Sequence, residues 1–171
     1  MEYELRISGI EPESIVDGEG FRYVVFTQGC PHNCPGCHNP ETHPFTGGKM
    51  ADVRDIFKEI CENPLLRGVT FSGGEPFCQP APLAELGRMA HGRGMDVTTF
   101  TGYLYEELLK KRDPAVDALL GQTDTLIDGP FVLAERDLSL RFRGSRNQRM
   151  IDMNATRREG KVVLAPGGVS P

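Results

Sequence analysis

No window of the 171-residue sequence approaches the roughly 18 consecutive apolar residues that a membrane span requires. The opening residues, Met1-Glu2-Tyr3-Glu4-Leu5-Arg6, lack the basic-then-apolar order of a secretory signal. A cytoplasmic protein that makes no use of a membrane is therefore expected. There is no internal repeat, no low-complexity tract and no convincing linker. With a length typical of one folding unit, residues 1–171 are read as a single domain, with a frayed tail after Ala165. Nucleotide-phosphate loops are missing too. Gly18-x-Gly20 precedes a predicted strand instead of opening a helix and lacks a third glycine. Gly47-Gly48-Lys49 has His43 where a P-loop needs its first glycine and Met50 where it needs Ser or Thr. No nucleic-acid recognition motif is present and aromatics are few, so nucleic acid is not an expected partner.

What is present is a foldable composition, 39% apolar and 25% charged, outside the range of disordered chains. The net charge of −5 is unevenly spread: residues 136–161 hold eight of the 19 Lys+Arg and only three of the 24 Asp+Glu. This basic stretch reads as a solvated face or as a surface for an acidic partner.

Four short runs of β-branched and aromatic residues, 22–27, 68–72, 96–101 and 123–127, alternate with segments of helical periodicity at 52–62, 81–90 and 104–120. That order predicts an α/β fold with parallel strands joined by crossover helices. Adding strands near 4–7 and 161–164 still leaves too few units for a closed eight-stranded barrel, so an open sheet or an incomplete (βα) barrel of mostly parallel strands is expected. In either case the site lies in loops after the carboxyl ends of the strands, beginning at Gln28, Ser72, Thr101 and Asp128.

Five cysteines are an odd number, and three of them fall in Cys30-Pro31-His32-Asn33-Cys34-Pro35-Gly36-Cys37, straight after the first of these runs. A disulfide framework suits an even, dispersed set in a secreted chain, whereas three thiols on one tight loop suit an iron–sulfur cluster. With no fourth cysteine nearby, one iron would stay open to an outside ligand, as in a catalytic zinc site with three protein ligands. The competing assignment is a zinc site of Cys30, Cys34, Cys37 and a histidine. His38 is adjacent to Cys37 and poorly placed for it, His43 could reach, and the second paired ligand set usual for zinc is missing. Cys61 and Cys78 are expected to be small buried hydrophobes.

The C-x3-C-x2-C loop after a strand resembles the radical S-adenosylmethionine superfamily. Ser72-Gly73-Gly74-Glu75-Pro76 is similar to its second mark, where glycines let backbone approach a ligand and an acid suits an ammonium group. Val16-Asp17-Gly18-Glu19-Gly20-Phe21-Arg22, Thr101-Gly102-Tyr103 and Asp128-Gly129-Pro130-Phe131 resemble the activating enzymes of glycyl-radical enzymes. Arg143-Gly144-Ser145-Arg146-Asn147-Gln148 is similar to the branch that acts on anaerobic ribonucleoside-triphosphate reductase. The resemblance spans about residues 15–150. His38 stands where tyrosine is common and Glu19 where proline is, and Thr99 stands where activators of pyruvate formate-lyase carry an acid.

That resemblance implies that Cys30, Cys34 and Cys37 hold a [4Fe-4S] cluster whose open iron is chelated by S-adenosylmethionine. It implies that Gly36, Cys37 and His38 line that cofactor, and that Gly73, Gly74 and Glu75 receive its methionyl end. A flavodoxin or ferredoxin-type donor would reduce the cluster, the C–S bond would break, and a 5′-deoxyadenosyl radical would take hydrogen from a glycine Cα of the reductase. The set Arg141, Arg143, Arg146 and Arg149 is expected either to face the partner or to be solvated. The rivals are an activator of another glycyl-radical enzyme such as pyruvate formate-lyase, and a cluster-binding electron carrier.

Overall fold

The structure, a computed structural model, describes residues 3–32, 34–37, 40–140 and 142–166. In chain order its strands are β1 (Glu4–Ser14), β2 (Arg22–Thr27), β3 (Lys49–Asp52), β4 (Gly68–Gly73), β5 (Asp96–Phe100), β6 (Thr125–Asp128) and β7 (Arg149–Asp152). Its helices are α1 (Val53–Cys61), α2 (Pro80–Gly92), α3 (Tyr105–Lys110), α4 (Pro114–Gln122) and α5 (Met153–Glu159). One sheet runs in the order β3-β1-β2-β4-β5-β6-β7. The four central strands β2, β4, β5 and β6 pair in parallel. β1 and β3 extend the sheet antiparallel on one side and β7 does so on the other. The sheet is open, with β3 and β7 as its edges.

The central runs are apolar because helices cover them: Val25, Val69, Phe71, Val97 and Leu126 are fully buried. Against them α1 turns Val53, Ile56 and Ile60, α2 turns Leu83, Leu86 and Ala90, and α4 turns Val116, Leu119 and Leu120. Each large side chain removed from water in this way contributes about 1.5–3 kcal/mol. Helix starts are fixed locally. Asp52 accepts the Arg54 N–H at 2.8 Å, and Asp113 accepts the Ala115 N–H at 2.9 Å ahead of Pro114. Among the described residues no helix is long and apolar enough to cross a membrane.

Several sequence expectations change. The helix expected over 104–120 is two helices, because Arg112 takes a left-handed φ of 49° and Pro114 opens a new first turn. β1 runs on to Ser14 instead of ending near residue 7, with register shifts along its pairing with β2. The strand expected at 161–164 is reduced to one bridge, Ile151 to Leu164. β3, β7 and α5 arise where none was expected. Of the tail expected to fray after Ala165, residues 167–171 lie outside the described residues.

Candidate metal centre and cofactor cavity

The loop after β2 is held by backbone before any metal is considered. Gly29 N–H donates to Thr42 O at 2.7 Å and Cys30 N–H to His43 O at 3.0 Å, so the first cysteine is tied to the 40–44 turn. The Gln28 side chain fastens the same turn through Glu41 O at 3.2 Å and Pro44 O at 2.7 Å. A second tight turn, Cys37 N–H to Cys34 O at 3.1 Å, passes through Gly36 at φ 74°. None of the three cysteines is in a disulfide, and all are partly buried and open on one cavity of about 370 Å³.

The opposite wall is Ser72, Gly73 and Gly74. Here glycine is required by protein backbone. A Cβ on Gly73, at φ 93°, would lie 2.5 Å from Thr27 N, and one on Gly74 would overlap the Gly29 carbonyl oxygen. Gly74 N–H donates to Thr27 O and Glu75 N–H to Gly29 O, both at 2.8 Å. The glycine pair therefore clamps the cysteine loop to β4 while presenting its other side to the cavity.

Glu75 stands behind that wall. It is 1% exposed and its carboxylate is filled by the chain. Oε1 accepts from His32 Nε2 at 2.6 Å and from Gly102 N–H at 2.8 Å; Oε2 accepts from the Thr101 hydroxyl at 2.8 Å and from Phe77 N–H at 3.0 Å. It is not among the cavity-lining residues, and neither is Gly36. His38 lies outside the described residues.

The remaining wall comes from the β6 loop and the segment braced against it. Gln148 donates its amide to Gly129 O at 3.1 Å and accepts from Gly144 and Ser145 N–H, while Asn147 donates to Pro130 O at 2.8 Å. Arg143 is 7% exposed, donates to Gln148 O at 2.8 Å, and lines the cavity beside Phe131 and Phe142. Burial holds its pKa below that of a free guanidinium. Arg149 turns to Asp128 and Glu106. Of the basic set expected on a surface, then, Arg143 belongs to the cavity and Arg149 to a carboxylate pair; Arg146 is exposed and Arg141 lies outside the described residues.

The donor set fits an iron–sulfur group. Three thiols surround one cavity, and Cys61 and Cys78 do not line it. Among the described residues no three His, Cys, Asp or Glu side chains converge closely enough to hold one ion. A cluster takes each thiolate on a different iron, which suits three thiols spread along one cavity wall. Cys61 is partly buried, but Cys78, expected to be buried, is an exposed residue. Its thiol is nevertheless pushed up to about 11 by partial burial and by the nearby charges of Glu75 and Cys30. His32 and Phe142 are the cavity residues that the sequence did not single out, and only the position of His32 inside the cysteine loop offered a signal; Arg143 was singled out, but for a partner-facing or solvated surface and not for the cavity.

A family model described as "4Fe-4S single cluster domain" matches residues 16–151, so the class of protein that this fold and cavity define is a single-cluster iron–sulfur protein. The anaerobic ribonucleoside-triphosphate reductase-activating protein of Haemophilus influenzae is 34% identical over 80% of this chain and 91% of its own length. That of Escherichia coli (strain K12) is 35% identical over 80% and 92%. The chain belongs to the family of anaerobic ribonucleoside-triphosphate reductase-activating proteins. The pyruvate formate-lyase-activating enzyme of Clostridium pasteurianum is 40% identical over 63% of this chain and 49% of its own. Among solved structures, QueE from Escherichia coli gives a TM-score of 0.46 at 20% identity, over 58% of this chain and 52% of that one.

Proposed function

We propose that this chain reductively cleaves S-adenosylmethionine and thereby generates a glycyl radical on anaerobic ribonucleoside-triphosphate reductase. One observation carries the reading: the three cysteines of one short loop, none of them in a disulfide, open on the same cavity as the backbone of Gly73 and Gly74 and the buried Arg143. In this reading Cys30, Cys34 and Cys37 hold the [4Fe-4S] cluster, and the iron without a thiolate is left for S-adenosylmethionine. When bound, the two groups supply the one-electron cleavage and hydrogen-atom abstraction that protein side chains cannot perform.

The chain's own residues bind, orient and exclude. The wall of Gly73 and Gly74 offers backbone to a ligand. Phe100, Phe131 and Phe142 remove water from the same space. Gly36, Cys37 and His38 are assigned to line the cofactor, and Glu75 supports the wall from behind. We read the open sheet as an incomplete (βα) barrel of the radical S-adenosylmethionine type and residues 1–171 as one such domain. We assign it to the cytoplasm, reduced by a flavodoxin or ferredoxin-type donor.

Anaerobic reconstitution with iron and sulfide, followed by reductant and S-adenosylmethionine, tests the reading: 5′-deoxyadenosine is expected, and Cys34→Ala is expected to abolish it. A loaded cluster that yields none would instead indicate an electron carrier. A second reading, activation of pyruvate formate-lyase, draws on the 40% identity to the Clostridium pasteurianum enzyme. Offering both target proteins to the loaded enzyme separates the two.

A further inference from the structure

The cysteine loop carries a histidine between its first two thiols, and that histidine is not turned to solvent. His32 Nε2 lies 2.6 Å from Glu75 Oε1, with the two side chains 17% and 0% exposed. Its ring packs edge-on against Tyr103, with centroids 4.5 Å apart at 76°. It also lies so close to Gly102 that a Cβ there would overlap the imidazole. A buried carboxylate is tolerable only when its lone pairs are filled. Glu75 fills three of its four sites from its own loop and the β5 loop, through Phe77, Thr101 and Gly102. The fourth comes from His32, across 43 residues of sequence.

We propose that His32 is a positioning residue for the metal centre: latched by Glu75 and seated on Gly102 and Tyr103, it fixes the stretch between Cys30 and Cys34 so that the thiols stay turned to the cavity. Backbone bonds hold the loop at Cys30 and at the Cys34–Cys37 turn, and the latch fastens the span between them to β4 and β5. A neutral imidazole with its proton on Nε2 already supplies the donor, so the latch needs a donor of that reach and no charge. The acid after the glycine pair is thereby assigned to the loop rather than to the cofactor's ammonium group. The inference rests on the cluster assignment made above.

The test uses the full chain, reconstituted anaerobically as wild type, His32→Ala, His32→Gln and Glu75→Gln. Three quantities are followed: the rate of iron transfer to a chelator, the electron paramagnetic resonance signal of the reduced cluster with and without S-adenosylmethionine, and the melting temperature of the metal-free protein. We expect His32→Ala to speed iron loss by about tenfold and broaden the cluster signal, while the metal-free protein melts within a few degrees of wild type. A tenfold change corresponds to about 1.4 kcal/mol, the size of one lost hydrogen bond. His32→Gln, which keeps a donor, should recover most of the retention, and Glu75→Gln should behave like His32→Ala. Iron loss from His32→Ala at the wild-type rate would overturn the latch and leave the functional reading standing. So would a His32→Gln variant as poor as His32→Ala with the melting temperature lowered equally in both, which is the mark of a merely structural residue. A wild-type protein that takes up no iron and sulfide would overturn both.

Discussion

Asp128 and Arg149 are register partners across β6 and β7, and the fully buried Asp128 carboxylate accepts the Arg149 Nε–H at 2.9 Å and a second bond from its terminal nitrogen. Arg149 continues to Glu106 at 2.7 Å, tying α3 to the loop that carries Gly129 and Phe131 into the cavity wall. Hydrogen bonds to Asp128 first, and to Glu106, raise the Arg149 pKa against the opposing effect of burial. Removing one partner of such a pair strands a charge where water cannot reach it.

Arg149→Met should therefore destabilise the metal-free protein by about 3 kcal/mol, measured as a urea unfolding midpoint, because Asp128 is left buried and unpaired. Arg149→Lys should recover only part of this, since an ammonium cannot reproduce the fork geometry. A loss under about 1 kcal/mol would place the pair with ordinary surface bridges.

The His91–Asp124 contact gives a pH dependence with a definite sign. Burial alone would lower the His91 pKa, but hydrogen bonds to Asp124 and Gln122 outweigh it and leave it above 6.5. For Asp124 burial raises the pKa, but bonds from His91, Asn154 and the Val97 N–H leave it below 3.8. The histidine's contribution is complete below pH 6.5 and disappears as pH rises through its folded value; the aspartate's is complete above 3.8 and disappears as pH falls through its own. The unfolding midpoint should thus fall between pH 6 and pH 8, and His91→Gln should flatten that fall. An unchanged slope in the variant would remove this contact as its source.

The glycines divide into those the fold requires and those it does not. Gly74→Ala drives a Cβ into the Gly29 carbonyl and should destabilise by about 1–3 kcal/mol, with loss of iron uptake. Gly121→Ala, on α4 with nothing within 4 Å of its Cβ, should stabilise by about 0.5–1 kcal/mol. Equal effects at both positions would contradict the backbone clamp.

The central strands were legible because β2 and β5 are runs of β-branched and aromatic residues of the length a helix-covered strand demands, and 22–27 was placed without error. β3 and β7, Lys-Met-Ala-Asp and Arg-Met-Ile-Asp, were not, since four residues with charged ends carry no period of two long enough to read. At the site, the cysteine spacing spoke for itself. The acid of the glycine motif did not: Glu75 reads as a free carboxylate in one dimension, and its partners His32 and Thr101 reach it only through the parallel order of β2, β4 and β5. Arg143 likewise reads as one of a basic run, and its bond to the Gln148 carbonyl helps to hold it inward.

The two other cysteines should prove dispensable for the metal centre. Cys61→Ser and Cys78→Ser are expected to retain wild-type iron and sulfide, while alanine at Cys30, Cys34 or Cys37 removes them. In the metal-free protein at pH 8.5, Cys78 should alkylate roughly a hundredfold more slowly than an unperturbed thiol, as its pKa of about 11 implies. Fast alkylation there would show that the thiol is not held against Glu75 and Cys30.

The most direct measurement mixes the reconstituted, reduced chain with S-adenosylmethionine and anaerobic ribonucleoside-triphosphate reductase under nitrogen and records the electron paramagnetic resonance spectrum. The account predicts a glycyl-radical doublet on the reductase, formed together with 5′-deoxyadenosine and absent with Cys34→Ala. A loaded cluster that cleaves S-adenosylmethionine yet leaves the reductase without a radical, or puts one on pyruvate formate-lyase in its place, would contradict it.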